Sequence, residues 1–166
     1  NLFYPYNKQY LDEVSYLEED AYVPNYEKAL SFLMENRKKP TLVFLYSVHT
    51  DHAGHKYKWM SPEYIQSIEE ADVEIGKFIE KMKQEGLYKD THFMFLTDHG
   101  GINYGHGGVS TDEMIVPWGI AGPGIKKRFK ITEANNTVNT AAIILHLFKV
   151  KQPLSWTGEV IETIFK

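Results

Sequence analysis

The chain contains no cysteine, so it can build neither a disulfide framework nor a thiolate metal site. An excess of positive charge is also absent, because 18 Lys and Arg stand against 22 Asp and Glu for a formal net charge of −4. Proteins that bind nucleic acid through its phosphates need a basic face. The composition therefore predicts no nucleic-acid-binding surface.

Long hydrophobic runs are missing as well. A membrane-spanning helix needs roughly 20 apolar residues, and the longest apolar run, Thr41–Val48, is far shorter. The chain starts at Asn1 without a basic and apolar leader, so we expect a signal peptide to be absent or already removed. With 166 residues, 43% hydrophobic and 24% charged, the sequence is typical of one globular domain.

Two apolar segments separated by an amphipathic stretch predict a strand–helix–strand unit. Thr41–Val48 is apolar on both faces, which is typical of a buried parallel strand. Ser61 is placed to cap a helix whose apolar stripe runs to Met82 and which Gly86 ends, and Thr91–Thr97 is a second strand. A crossover of this length favours parallel neighbouring strands whose carboxyl ends share one sheet edge.

The flanking segments complete the predicted fold. Residues 1–25 form an irregular, tyrosine-rich lead-in, and a helix begins at Asn25. Further on, Ser110–Glu113 is a capping-box candidate, Ile115–Ala121 a strand and Thr137–Phe148 a helix. The pattern predicts an α/β fold with a mainly parallel sheet flanked by helices.

Polar residues follow both predicted strands directly. The segments His49–His55 and Asp98–Gly108 hold five of the seven histidines, and we expect both to be loops. Ligands in open α/β sheets bind beyond the carboxyl ends of the strands, so both segments are predicted to meet at one edge. Carboxylate and imidazole without thiolate favour Zn, Mn or Fe(II).

The spacing of these residues resembles the alkaline phosphatase superfamily, especially its type I phosphodiesterase/nucleotide pyrophosphatase-like members. The motifs that carry the resemblance are Asp51-x-x-x-His55, Asp98-His99-Gly100, Gly-His106-Gly and Gly122-Pro-Gly124. The resemblance implies a two-metal site, with zinc or alternatively manganese. It implies one ion held by Asp51, His55 and His106, and a second held in part by Asp98 and His99.

The same resemblance implies a hydrolase or transferase of phosphate esters, acting on small phosphodiester or nucleotide-type substrates outside the cytoplasm. It also requires an upstream Asp and a Thr or Ser nucleophile, and neither is found before Asp51, since Ser15 and Ser31 lie in other contexts. We therefore assign no catalytic residue. Residues 26–166 are predicted to be the C-terminal half of an alkaline phosphatase-like domain, with its missing N-terminal half as partner.

Three alternatives remain at this point. A pseudoenzyme or non-catalytic fragment could keep a metal-binding fold, and a sulfatase-type enzyme would share the superfamily. The spacing His49-x-Asp51 with a distant His106 also matches the ligand triad of Fe(II) oxygenases. Those enzymes use an all-β scaffold, which the long helical stripe after Pro62 disfavours.

Overall fold

The computed structural model describes residues 7–16 and 21–166, which fall into two compact units. We call the part up to Leu87 together with Gly101–Gly105 the helical unit. The sheet unit consists of Tyr88–Gly100 and His106–Lys166.

The described part of the helical unit contains three α-helices: α1 (Val23–Glu35), α2 (His49–Tyr57) and α3 (Pro62–Gln84). The prediction of α3 is confirmed, because the Ser61 hydroxyl accepts the Tyr64 N–H at 3.2 Å and Pro62 occupies the first turn. Its apolar stripe buries Phe78 and Met82, and Ala29 of α1 is buried as well.

Two details of this unit differ from expectation. Helix α1 begins at Val23 rather than at Asn25, with Pro24 in the first turn where its missing N–H costs no hydrogen bond. The segment His49–His55, predicted as a loop, belongs to α2. The sequence gives no helix signal here, because the segment lacks an apolar stripe and no side chain caps the start of α2.

The sheet unit contains two strands, β1 (Phe93–Leu96) and β2 (Trp118–Ala121), which pair antiparallel with Phe93 opposite Ala121. Both lie within the predicted strands, but β2 starts only after Pro117, which lacks the N–H that a ladder requires.

Two helices, α4 (Thr111–Met114) and α5 (Val138–Leu147), belong to the same unit. Helix α5 confirms the predicted helix at 137–148, and its Ile143 is fully buried. The other buried residues of this core are isoleucines outside the α-helices and strands, namely Ile125, Ile161 and Ile164, of which Ile164 ends the 3-10 turn Glu162–Ile164.

The predicted strand at Thr41–Val48 is wrong for the described structure, which assigns no strand to these residues. Leu42 is 58% exposed and Phe44 57%, and because they are two residues apart they would lie on one face of a strand, which is therefore uncovered. A buried parallel strand requires hydrogen-bonding neighbours and layers on both faces. Within residues 7–16 and 21–166 the only sheet has two antiparallel strands, so these residues do not form a mainly parallel sheet.

The predicted lead-in at 1–25 lies partly outside the described residues, at 1–6 and 17–20. Its described part contains the short 3-10 turn Lys8–Tyr10 and the first residues of α1. None of the helices in the described part of the chain combines the length and the apolar character needed to cross a membrane.

The space around two glycines predicts that replacing them by alanine changes stability in opposite directions. Gly76 lies exposed inside α3, with open space where an added methyl group would lie, so Gly76→Ala should raise the free energy of unfolding by about 0.5–1 kcal/mol. Gly158 is buried, and an added Cβ would overlap the Val138 carbonyl oxygen. Gly158→Ala should therefore lower the free energy of unfolding by about 1–3 kcal/mol. Urea unfolding of both variants followed by circular dichroism checks the signs, and a shift in the same direction for both would contradict the prediction.

Candidate metal-binding site

Helix α2 carries the first pair of predicted ligands. Asp51 and His55 are four residues apart, which places them on the same helix face, and Asp51 Oδ1 lies 3.5 Å from His55 Nε2. Asp51 Oδ1 is shielded from solvent. Burial raises the pKa of the Tyr64 phenol, and the negative charge of Asp51 adds to the rise.

A backbone carbonyl orients the His55 ring. His55 Nδ1 lies 2.9 Å from the carbonyl oxygen of Tyr104, and a carbonyl can only accept a hydrogen bond, so Nδ1 carries a proton. In the neutral ring Nε2, the nitrogen facing Asp51, then holds the lone pair that binds a metal.

The second pair repeats this arrangement at the end of β1. His99 Nδ1 lies 2.8 Å from the Gly100 carbonyl oxygen, and His99 Nε2 lies 3.7 Å from Asp98 Oδ2. A histidine in each unit therefore has its Nδ1 on a carbonyl and its Nε2 beside a carboxylate.

The two Nε2–carboxylate distances bear on what the pairs can hold. At 3.5 and 3.7 Å they exceed the length of an N–H···O hydrogen bond, which is about 2.7–3.2 Å. Two ligands bonded at about 2.0–2.2 Å to one tetrahedral ion lie about 3.3–3.6 Å apart. The Asp51–His55 distance falls within this range, and the Asp98–His99 distance lies just beyond it.

The third predicted histidine, His106, stacks on His99 with ring centroids 3.7 Å apart and planes 18° apart. The stack brings two potential imidazole ligands of a metal close together within the sheet unit. An imidazole binds a metal through an unprotonated nitrogen.

Glu113 of α4 holds the glycine-rich loop that carries His99 and His106. Its Oε1 accepts the Gly108 N–H at 2.7 Å, its Oε2 accepts the Ser110 hydroxyl at 2.6 Å, and its backbone carbonyl accepts the Gly100 N–H at 2.8 Å. The hydroxyl of Ser110, followed by the Gly108 N–H, lowers the pKa of Glu113. One residue thus connects both ends of the loop.

The two loop glycines are required by this packing. An added Cβ at Gly100 would overlap the Asp112 carbonyl oxygen, and one at Gly108 would lie 2.5 Å from Glu113 Oε2. The predicted capping box at Ser110–Glu113 is confirmed, but the sequence analysis missed the second role of Glu113 as a loop anchor. The capping-box motif was the available signal, together with the glycines before it.

Two of the four remaining histidines, His49 and His92, have structural contacts. His49 Nε2 lies 3.2 Å from Glu70 Oε2, and its ring packs on Tyr22. His92 Nε2 lies 2.7 Å from the Pro123 carbonyl oxygen. The gathering of all five predicted ligands at one sheet edge stays a prediction.

A short sheet with helices and two carboxylate–imidazole pairs define a candidate metalloprotein of mixed helix and strand content. The sequence profile of the type I phosphodiesterase/nucleotide pyrophosphatase family matches residues 5–143. The chain belongs to this family, whose fold is alkaline phosphatase-like, and the match contains all five predicted ligands. The resemblance stated from the motifs is confirmed.

Curated relatives match over shorter segments. An uncharacterized pyrophosphatase/phosphodiesterase of Schizosaccharomyces pombe is 36% identical over 67 residues, covering 40% of this chain and 14% of the relative. Venom phosphodiesterase 2 of Crotalus adamanteus is 36% identical over 63 residues, 38% of this chain and 8% of the relative. GPI ethanolamine phosphate transferase 1 of Yarrowia lipolytica is 34% identical over 95 residues, 55% of this chain and 10% of the relative. The chain spans only a small part of the length of these proteins.

The contacts of Glu113 predict an acid-sensitive contribution to stability. A carboxyl group whose pKa is lowered by folding stabilises the protein above its unfolded pKa of about 4.3, and this stabilisation disappears as the pH falls through the folded value. Glu113→Gln should therefore lower the urea concentration at which half of the protein is unfolded at pH 7. This midpoint should also change less than that of the wild type between about pH 5 and pH 3. Urea titrations across this range measure the effect. Glu159→Gln, at an exposed position of the same unit, is the control, and equal acid slopes for wild type and Glu113→Gln would refute the prediction.

Proposed function

We propose that this chain forms part of a metal-dependent hydrolase or transferase of phosphate esters, with phosphodiester or nucleotide-type substrates. The observation that carries the proposal is an arrangement that occurs twice. His55 and His99 each lie with Nδ1 on a backbone carbonyl. The Nε2 of His55 lies beside Asp51, and the Nε2 of His99 lies beside Asp98. Membership of the phosphodiesterase family supports the choice of substrate class.

The donor set fits a divalent metal. Asp51, His55 and His106 are proposed to hold one ion, and Asp98 and His99 to hold part of a second. Carboxylate and imidazole suit zinc, with manganese as the alternative. When bound, two such ions supply positive charge at the attacking and leaving oxygens of an in-line displacement and lower the pKa of the nucleophile.

The chain's own residues prepare this chemistry. The carbonyls of Tyr104 and Gly100 hold His55 and His99 in the tautomer with an unprotonated Nε2. Glu113 keeps the loop that carries His99 and His106 in one conformation. Reorganisation on binding a metal is therefore small, which raises affinity.

The names of the relatives support both hydrolysis and transfer. A venom phosphodiesterase is named for cleaving phosphodiesters, and an ethanolamine phosphate transferase for moving a phosphate-bearing group. Both activities act on phosphate esters, so we propose this class for the whole protein. A venom protein acts outside the cell, which supports the extracytoplasmic location that the resemblance implies.

We further propose that the rest of the fold covers the apolar segment at 41–48. Leu42, Phe44 and Tyr46 are each at least half exposed, which is unusual for closely spaced apolar residues of a soluble domain. Neighbouring strands from the N-terminal half would pair with this segment and complete a mainly parallel, alkaline phosphatase-like sheet. That half would also supply the nucleophile and the upstream Asp.

Activity of the full-length protein tests the proposal. His55→Ala or Asp98→Ala should reduce hydrolysis of an aryl phosphodiester by roughly 100-fold or more, because each removes a metal-holding group. His92→Ala is the control, since His92 contacts the Pro123 carbonyl. Circular dichroism verifies that the variants stay folded.

Unchanged rates in both variants would refute the enzyme proposal. Zinc binding without turnover of aryl phosphates, phosphodiesters or aryl sulfates would instead support the non-catalytic alternative. These two outcomes separate the chemistry of the site from its ability to bind metal.

Metal stoichiometry gives an independent prediction for the 166-residue chain. The site at Asp51, His55 and His106 has three ligands and should bind zinc more tightly than the two-ligand site at Asp98 and His99. Calorimetric titration at about pH 7.5 should show about one tight zinc ion per chain, and binding should weaken at about pH 5 because protonated imidazoles do not bind metal. Two equally tight ions would contradict this order.

A further inference from the structure

Trp59 lies in a tight turn directly after α2. Its side chain is buried, with a relative exposure of 7%. The residues on either side, Lys58 and Met60, have φ values of 84° and 65°. This left-handed conformation is unfavourable for residues with a side chain, so the surrounding contacts must hold the turn.

The indole of Trp59 packs directly on backbone at two glycines. A Cβ added to Gly54 of α2 would lie 2.7 Å from three indole carbons, and a Cβ added to Gly101 would lie closer still. Real side chains do not approach so closely, so both positions accept only glycine in this packing. The indole therefore contacts the backbone of both α2 and the segment Gly101–Gly105.

Hydrogen bonds connect the same two elements. The Trp59 backbone N–H donates to the Asn103 carbonyl at 2.7 Å, and Ile102 and Gly105 close this segment with a short bridge. The next carbonyl, that of Tyr104, accepts from His55 Nδ1. The His55 ring also meets the indole edge-on, with centroids 5.0 Å apart and planes at 88°.

We infer that Trp59 is a positioning residue for His55: its indole and backbone hold Gly101–Gly105 against α2, which keeps the Tyr104 carbonyl on Nδ1 and Nε2 facing Asp51. The inference rests on the proposed function in that His55 Nε2 is taken as a metal ligand. Trp59 acts through Tyr104, so it is not itself a catalytic residue.

The tautomer of His55 in the metal-free chain is the first readout. At about pH 8 an ordinary histidine is neutral, and imidazole ¹⁵N shifts report which nitrogen carries the proton. We expect Nδ1–H in the wild type and in Trp59→Phe, which keeps an aromatic ring. In Trp59→Ala we expect the shifts of a mixture of tautomers. Trp156→Ala, which truncates a 44% exposed tryptophan in the sheet unit, should leave His55 unchanged.

Affinity for Co(II), followed by its visible absorption, is the second readout. Trp59→Ala should weaken the binding by about 10-fold to 100-fold, the usual effect of losing a group that orients a ligand. Trp59→Phe should recover most of the loss, and Trp156→Ala should bind like the wild type.

A third variant keeps the test decisive if Trp59→Ala does not fold. Gly54→Ala retains the indole but pushes a methyl group into it, and should shift the His55 tautomer in the same direction. Gly76→Ala is its control, because the space around Gly76 in α3 is open.

The outcomes separate this inference from the proposed function. The role of Trp59 would be overturned if Trp59→Ala kept both the wild-type tautomer of His55 and the wild-type affinity for Co(II). If Trp59→Ala does not fold, the same result for Gly54→Ala would overturn it. A wild-type chain that binds no Co(II), but whose His55 tautomer depends on Trp59, would support the positioning role and reject the metal site.

Discussion

The candidate site depends on one kind of interaction, the hydrogen bond from imidazole Nδ1 to a backbone carbonyl. A free imidazole exchanges its proton between two nitrogens, and only the unprotonated one can bind a metal. The carbonyls of Tyr104 and Gly100 settle this choice for His55 and His99. Both carbonyls belong to the glycine-rich stretch after β1, so the path of this stretch determines the chemistry of both rings.

That path is itself fixed by contacts that only a few side chains can make. A carboxylate accepts several hydrogen bonds at once, and Glu113 uses this capacity on Gly108 and Ser110 while its own carbonyl holds Gly100. Trp59 supplies a large flat surface for Gly101. Because these loop residues are glycines, the side chains of Glu113 and Trp59 contact the backbone of the loop directly. These contacts give a polar and partly exposed loop a defined shape.

Local signals in the sequence predicted local structure well. Ser61 and the apolar stripe after it determine α3, and the capping box at Ser110 determines α4. The prediction of a strand at 41–48 is wrong because a strand needs hydrogen-bonding partners that are distant in sequence. Among the described residues no strand pairs with this segment. Helix α2 was missed because its residues are polar and form no apolar stripe. The motifs still identified the family, since ligand spacing is independent of the sheet that carries it.

Charge explains how an acidic chain could bind a phosphate ester. The chain has a formal net charge of −4, and Asp51 and Asp98 bring two of its negative charges into the proposed site. The two divalent ions proposed above carry four positive charges, so with these two carboxylates the site would have a net charge of about +2, and the proposed upstream Asp would lower it to about +1. The neutral imidazoles add no charge, and they do not repel the ions. In the proposed site the histidines would therefore hold the ions while leaving their positive charge available to the phosphate.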